Sequence, residues 1–191
     1  ADVIVVNTCG FIDKAKKESI DTILEMAEFK NTGNCSRLVV TGCLVERYRA
    51  DLQREIPEVD AVLGTTQLES IIDVCEDQPG PTVENPYYLY DENSPRLLTT
   101  PRYTAYIKIA EGCDRPCSFC IIPKIRGHYR SRPLQSILNE ARYLSESGVK
   151  EVVLISQETT RYGDDLGLKH GLSDLLRQLA TLEGLHWVRF L

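Results

Sequence analysis

Cys113, Cys117 and Cys120 stand as CxxxCxxC within IKIAEGCDRPCSFCIIPKIRG, directly after an apolar, strand-like run. Three thiolates this close together are a nest for a soft metal or an iron–sulfur centre. A closed structural zinc site wants four ligands, usually in two separated pairs, and one ligand is missing here. Ferredoxin runs read CxxCxxCxxxCP, and no further cysteine follows Cys120. A cubane held by three cysteines leaves one iron open to an exogenous ligand, which turns an electron-transfer cluster into a catalytic one. A disulfide reading fails on parity, because the chain has seven cysteines, and on spacing. With no secretory leader and no apolar run near transmembrane length, reduced thiols and a cytosolic setting are expected.

Two more cysteines occupy informative positions. Cys9 follows VIVVNT and Cys43 follows LVVTG, so each lies just past the carboxyl end of an apolar run. In a parallel sheet those ends share one edge, where ligand sites form. Two thiols there either share a metal or serve as small buried apolar groups, and spacing alone leaves both open. Cys35, in a polar loop, and Cys75, on a helical pattern with Ile71 and Ile72, have no partner and read as structural. His128, His170 and His186 lie outside any cysteine pattern, and neither a P-loop nor a nucleophile signature is present. Glu158, Asp164 and Asp165 read as a solvated acidic loop.

The elements that must position these groups follow from periodicity. VIVV (Val3 to Val6), RLVV (Arg37 to Val40) and AVLG (Ala61 to Gly64) are short β-branched runs separated by helical patterns. Ile20, Ile23, Leu24 and Ala27 give the i, i+3, i+4, i+7 stripe of a helix lying on a sheet. Five of the nine prolines punctuate QPGPTVENPYYLYDENSPRLLTTP, which reads as a linker over 79–100. The pattern then restarts with a strand around Ala105 to Ile109 and a helix carrying Leu134, Ile137, Leu138 and Ala141, stopped at Gly148. EVVLIS (Glu151 to Ser156) is the next strand, Ser173 the expected N-cap of a helix with Leu175, Leu176 and Leu179, and WVRFL a third strand. The expectation is an α/β chain with two parallel βα series, 1–78 and 101–191. Each series looks clipped, as in an internal piece of a longer enzyme, with a hydrophobic strand left at an edge.

At 191 residues with ordinary apolar and charged fractions, the chain is globular and long enough for real cores. Its net charge of −6 is uneven: residues 1–100 carry 9 basic against 18 acidic side chains, residues 101–191 carry 13 against 10. From Arg115 to Arg132 the cations Arg115, Lys124, Arg126, Arg130 and Arg132 face no acidic residue in the segment, so a positive rim beside the cysteines, or a solvated basic loop, is expected.

CxxxCxxC with Phe119 before its last cysteine resembles the cluster motif of radical S-adenosylmethionine (SAM) enzymes. VNTCGFI around Cys9, VTGC ending at Cys43 and EGCDRPCSFCIIPKIRGHYRSRP together are similar to the methylthiotransferases of that superfamily, over essentially the whole chain. The resemblance implies an amino-terminal parallel-sheet methylthiotransferase domain over 1–78. It implies the first part of a radical SAM (β/α) partial TIM barrel over 101–191. It also implies two 4Fe–4S clusters with SAM: Cys113, Cys117 and Cys120 on the radical SAM cluster, and Cys9 and Cys43 on an auxiliary cluster. The family's third auxiliary cysteine lies in a Gly-Cys-Pro-Lys-Asn-like loop upstream of Val3, and none precedes Ala1 here. For this reason the chain by itself is expected to be catalytically inert. By resemblance Phe119 contacts the adenine of SAM, with packing beneath the loop as the alternative, and Gln157 hydrogen-bonds its methionine end, with a satisfied loop amide as the alternative.

The run ISQETTRYGDDLG (Ile155 to Gly167) is most like the members that methylthiolate an aspartate of small-subunit ribosomal protein S-twelve. Relatives acting on tRNA adenosine more often read Gly-Gln-Asn where this chain has Ser156, Gln157 and Glu158. The reaction implied is hydrogen abstraction from the aspartate β-carbon by a 5′-deoxyadenosyl radical, with sulfur from the auxiliary cluster. The implied partners are the ribosomal protein, RNA through a further carboxy-terminal domain, and a reductant of flavodoxin or ferredoxin type, with no membrane. A tRNA substrate is the nearest alternative, and a non-catalytic zinc or iron–sulfur module the alternative of another class.

Overall fold

The structure is a computed structural model that describes residues 1–78 and 88–191. Part of the linker reading, residues 79–87, lies outside the described residues; residues 88–100 form neither helix nor strand. The chain divides into two compact units, Ala1–Tyr88 with Ser118–Arg126, and Leu89–Cys117 with Gly127–Leu191.

The first unit is built on β1 (Val3–Thr8), α1 (Asp13–Thr32), β2 (Arg37–Gly42), α2 (Cys43–Glu55), β3 (Ala61–Leu63) and α3 (Ile71–Cys75). The strands pair in parallel in the order β1-β2-β3, as helical crossovers between them require. β2 is central and buried on both faces, which is why it reads as a continuous apolar run instead of an alternation. Val6, Leu38, Val40 and Val62 pack with Ile23 and Ala27 of α1 and Leu44, Val45 and Leu52 of α2. Val39 and Leu63 pack on the other face against Val74 of α3. Each aliphatic side chain so buried contributes about 1.5–3 kcal/mol. The helical stripe predicted for α1 is only half used, since Ile23 and Ala27 are buried while Ile20 and Leu24 are exposed. An ion pair fixes one turn: Lys30 Nζ lies 2.7 Å from Asp60 Oδ1, and Asp60 Oδ2 accepts the Leu38 N–H at 2.7 Å.

The second unit carries β4 (Thr104–Lys108), β5 (Ala110–Glu111), β6 (Arg130–Ser131), α5 (Leu134–Glu146), β7 (Glu151–Ile155), α6 (Gly171–Ala180) and β8 (Trp187–Phe190). β4, β7 and β8 form a parallel sheet in that order. Ala105, Ile107, Ile109, Val152 and Leu154 on one face meet Ile137, Ala141, Leu144, Leu175 and Leu179 from α5 and α6. The other face presents Tyr106 and Trp187, both exposed. The chain turns at Gly148 (φ +99°), as the sequence predicts. Ser173 is not the cap of α6: the helix starts at Gly171 after His170, and Ser173 Oγ donates back to the His170 carbonyl at 3.0 Å from within the first turn. The antiparallel pair β5–β6 goes unpredicted, being too short for any period. The free edge of β4 is closed by side chains, with Arg96 Nη2 on the Tyr106 carbonyl and Arg132 Nη1 on the Lys108 carbonyl, both at 2.9 Å.

Candidate metal centre

In the second unit, β5 and β6 pair through Ala110 with Ser131 and Glu111 with Arg130, and the chain between them carries the three clustered cysteines. The base of this excursion is sealed where the Cys113 N–H donates to the Gly127 carbonyl at 3.2 Å. Gly112 makes that closure possible: it has φ +81°, and a Cβ there would lie 2.2 Å from the His128 oxygen and 2.5 Å from the Gly127 oxygen.

Cys113 is buried, Cys117 exposed and Cys120 half-buried, and all three are free thiols. The Arg115 N–H donates to Cys113 Sγ at 3.4 Å. Cys113 and Cys117 pack with the second unit and Cys120 with the first. Among the described residues no group of three or more His, Cys, Asp or Glu side chains is gathered as a metal site. The loop supplies the donor chemistry of a thiolate-held cluster and does not draw the three sulfurs into a coordination sphere.

The loop after β7 supports this excursion. Gln157 Oε1 accepts the Gly112 N–H at 3.0 Å, and Glu158 Oε2 pairs with Arg115 Nε at 3.1 Å. Asp114 Oδ1 lies 2.9 Å from His128 Nδ1 and accepts the Tyr129 N–H at 3.3 Å; the His128 contact holds the Asp114 carboxyl below the usual carboxylate range. Asp165 accepts the Ser131 N–H at 2.8 Å, and the Tyr162 hydroxyl donates to the Arg132 carbonyl at 2.9 Å. Burial pushes the Tyr129 phenol up to about 12, so it stays neutral. Asp164 and Asp165 are exposed, as expected of a solvated acidic loop, although Asp165 also braces β6; Glu158 is half-buried and a partner of the cysteine loop. The sequence signal of Glu158 and Asp165 was weak because each bridges 34 or more residues.

Two expectations need correction. Phe119 is 88% exposed, which removes packing beneath the loop as its role. The positive rim is not continuous, because Arg132 is 1% exposed and bound within the fold, and Arg115 is paired. Their acidic partners, Glu140 and Glu158, lie outside the 115–132 window.

In the first unit the register pairs Thr8 with Gly42, so Cys9 and Cys43 directly follow paired residues on adjacent strands. Neighbouring strands run about 4.8 Å apart. The turns touch through Gly10, whose added Cβ would sit 2.7 Å from the Cys43 oxygen. The Cys9 N–H donates to Ser19 Oγ at 3.0 Å, leaving its thiol exposed. Arg126, in α4 (Ile122–Arg126), donates to Cys43 Sγ at 3.5 Å within the same unit, a contact across 83 residues that spacing could not reveal. Cys35 is buried with Sγ on the Arg37 carbonyl at 3.3 Å. Cys75 ends α3 against the apolar cluster of that face. The two therefore pack as structural residues.

Comparison with known proteins bears on what this scaffold is. Residues 107–185 match the radical SAM superfamily, and residues 1–64 match a family described as uncharacterized protein family UPF0004. Over all of its length the chain is 58% identical to a protein of Solibacter usitatus described as ribosomal protein uS12 methylthiotransferase RimO. Proteins of Desulforamulus reducens and Clostridioides difficile with the same description are 52% and 50% identical, over 100% and 99% of this chain. The chain belongs to the radical SAM methylthiotransferase family. It spans less than half of these relatives, covering 42%, 44% and 44% of their lengths. Among solved structures, the radical SAM methyltransferase TsrM of Kitasatospora setae, with cobalamin and a 4Fe–4S cluster, superposes with TM-score 0.58 at 15% identity over 93% of this chain and 41% of its own. The cobalamin-dependent radical SAM enzyme OxsB gives 0.57 at 14% identity over 99% and 30%. These show the fold: a parallel-sheet domain followed by the opening strands of a radical SAM partial barrel. In that barrel β4 is the first strand, and the exposed face of Tyr106 and Trp187 is the lumen side.

Proposed function

We propose that this chain is the part of a radical SAM methylthiotransferase that holds both iron–sulfur clusters, and that the enzyme adds a methylthio group to the β-carbon of an aspartate of small-subunit ribosomal protein S-twelve. The observation that carries the reading is CxxxCxxC on the loop leaving the first strand of a parallel βα sheet, in a chain at least half identical to proteins described as acting on uS12. Residues 1–78 serve as the methylthiotransferase domain, 79–100 as a linker and 101–191 as the radical SAM domain.

Cys113, Cys117 and Cys120 are the ligands of the radical SAM cluster, and Cys9 and Cys43 contribute to the auxiliary one. The donor set fits, since all five thiols are free, and Cys9 and Cys43 follow register-paired residues. When bound, the clusters and SAM supply reductive carbon–sulfur cleavage and the sulfur to be transferred. The Arg115 N–H orients the Cys113 sulfur, and Gln157 fixes the backbone from which Cys113 departs. Through that hydrogen bond Gln157 positions the cluster loop, and its NH2 is left to meet the methionine end of SAM. Phe119, exposed on the loop, is available to stack on adenine. A cytoplasmic setting, a flavodoxin- or ferredoxin-type reductant and RNA contact through a further domain belong to the same proposal. No helix among the described residues is long and apolar enough to cross a membrane.

The test is made on the intact enzyme in cells. Deleting the gene should leave the S-twelve aspartate unmodified by mass spectrometry, with normal tRNA nucleosides. A modified aspartate with altered tRNA would replace this reading with the adenosine substrate. Anaerobic reconstitution separates the non-catalytic alternative, since a cluster whose spin-resonance signal ignores added SAM argues for it.

A further inference from the structure

A cavity of about 280 Å³ opens on the lumen side of β4, lined by Tyr90, Arg96, Tyr106, Lys108, Arg132, Glu140 and four neighbours. It lies just below the range of about 300–1,000 Å³ typical of small-molecule sites, a volume suited to one side chain. Its lining carries three cations, Arg96, Lys108 and Arg132, and two carboxylates, Asp91 and Glu140, with Glu111 paired to Lys108 beside it. The Asp91 carboxylate is taken up by its own turn, accepting the Asn93 N–H at 2.9 Å and the Ser94 hydroxyl at 3.0 Å. Arg96 and Arg132 share the single carboxylate of Glu140. Arg132 is 1% exposed and its Nε has no hydrogen-bond partner, so a buried guanidinium with one donor unused stands in the wall of the cavity. Lys108 sits on the last residue of β4, next to the cysteine loop, paired with Glu111 and 5.1 Å from the centroid of the Tyr90 ring.

We propose that this cavity receives the carboxylate of an acidic side chain of the protein substrate, with Lys108 and Arg96 as its recognition cations. The assignment rests on the methylthiotransferase reading above and adds to it the residues that choose aspartate. The geometry favours a carboxylate over a nucleobase: the walls offer fixed cations and two phenol rings in a narrow space at the carboxyl end of a barrel strand, where barrel sites form. Arg132 and Glu140 set the shape and charge of the wall, whereas Arg96 is one-third exposed and able to reach a ligand.

The test uses the full-length enzyme and two fluorescent peptides spanning the modified loop of S-twelve, one with the aspartate and one with asparagine in its place, read by anisotropy. The wild type is expected to prefer the aspartate peptide by about tenfold, the equivalent of about 1.4 kcal/mol. Lys108→Met and Arg96→Gln should each bring that ratio towards one. Arg96→Gln serves as the second variant if Lys108→Met, which removes the ion pair to Glu111, melts early by circular dichroism. If the wild type prefers aspartate and the folded variants keep the preference, this assignment falls while the functional reading stands. If the wild type binds neither peptide and binds tRNA instead, the functional reading fails and takes the assignment with it.

Discussion

Gly112→Ala is the sharpest probe of how the cysteine loop is held. The residue has φ +81°, and the new Cβ would lie 2.2 Å from the His128 oxygen and 2.5 Å from the Gly127 oxygen. Both are backbone atoms, and the Gly127 carbonyl is already engaged by the Cys113 N–H at 3.2 Å, so neither can swing away as a flexible side chain would. The left-handed backbone costs an alanine about 1–2 kcal/mol, and overpacking a fixed site about 1–3 kcal/mol more. The expected loss is thus about 2–5 kcal/mol, a large share of the about 5–15 kcal/mol that a domain has. Gly167→Ala is the control: its φ is +72° but nothing lies within 4 Å of the added Cβ, so only the backbone cost remains. Urea unfolding of the two variants beside the wild type measures both costs, and iron content after anaerobic reconstitution reports whether Cys113 is still aimed correctly. Equal losses in the two variants would refute the steric argument. A loss below about 1 kcal/mol at Gly112 would refute the backbone argument as well.

Glu140→Leu should cost about 3–5 kcal/mol in the same assay because it strands the buried Arg132, whereas adding Arg132→Met should recover much of the loss; a double variant worse than the single would sink this. Gln157→Leu removes the acceptor of the Gly112 N–H and should lower stability by about 1–3 kcal/mol with reduced iron uptake, while Gln157→Glu keeps both near wild type; equal iron content in all three would contradict it. Asp60 gives the pH dependence: burial works to raise its pKa, but Lys30 and the Leu38 N–H outweigh it and hold it below the ordinary value. Its stabilisation is therefore fully present above about pH 3.9, the unfolded value, and is lost as pH falls through the depressed folded value. Asp60→Asn should accordingly be less stable than wild type at pH 6 and converge on it in melts run towards pH 2.5; a gap independent of pH would refute it.

Much of the fold was legible because its strands sit in parallel sheets, where burial writes apolar runs such as RLVV and EVVLIS directly into the chain. The stripe on α5 was legible for the same reason, with Ile137, Leu138 and Ala141 buried and Leu134 partly so. What escaped was short or long-range. β5 and β6 have two residues each and no period, yet their pairing closes the cysteine loop. Ser173 resembled a cap because serine suits N-caps, but the chain had already turned helical at Gly171, and the hydroxyl found a carbonyl instead. The cysteines themselves were found by spacing, whereas their supports, Gln157, Glu158 and Arg126, come from 43 to 83 residues away and leave no local trace.

The two cysteine sites follow one rule by different routes. At Cys9 and Cys43 the register of β1 with β2 brings two turns side by side, and a glycine, Gly10, lets them touch. At Cys113 a glycine again stands where the chain must pass close to another backbone, here between β5 and β6. In both places a rigid parallel sheet fixes where the strand ends, and a residue without a Cβ fixes how the thiol-bearing turn leaves it. The sulfurs sit on the irregular side of that junction, where Cys117 is exposed and no fixed coordination sphere exists among the described residues. If these cysteines hold clusters as proposed, metal binding and the stability of the turns that carry them are linked. Weakening the edge at Gly112 or Gln157 should then lower iron affinity without touching a proposed ligand, and replacing a proposed ligand such as Cys117 should abolish binding while leaving the sheet's stability unchanged.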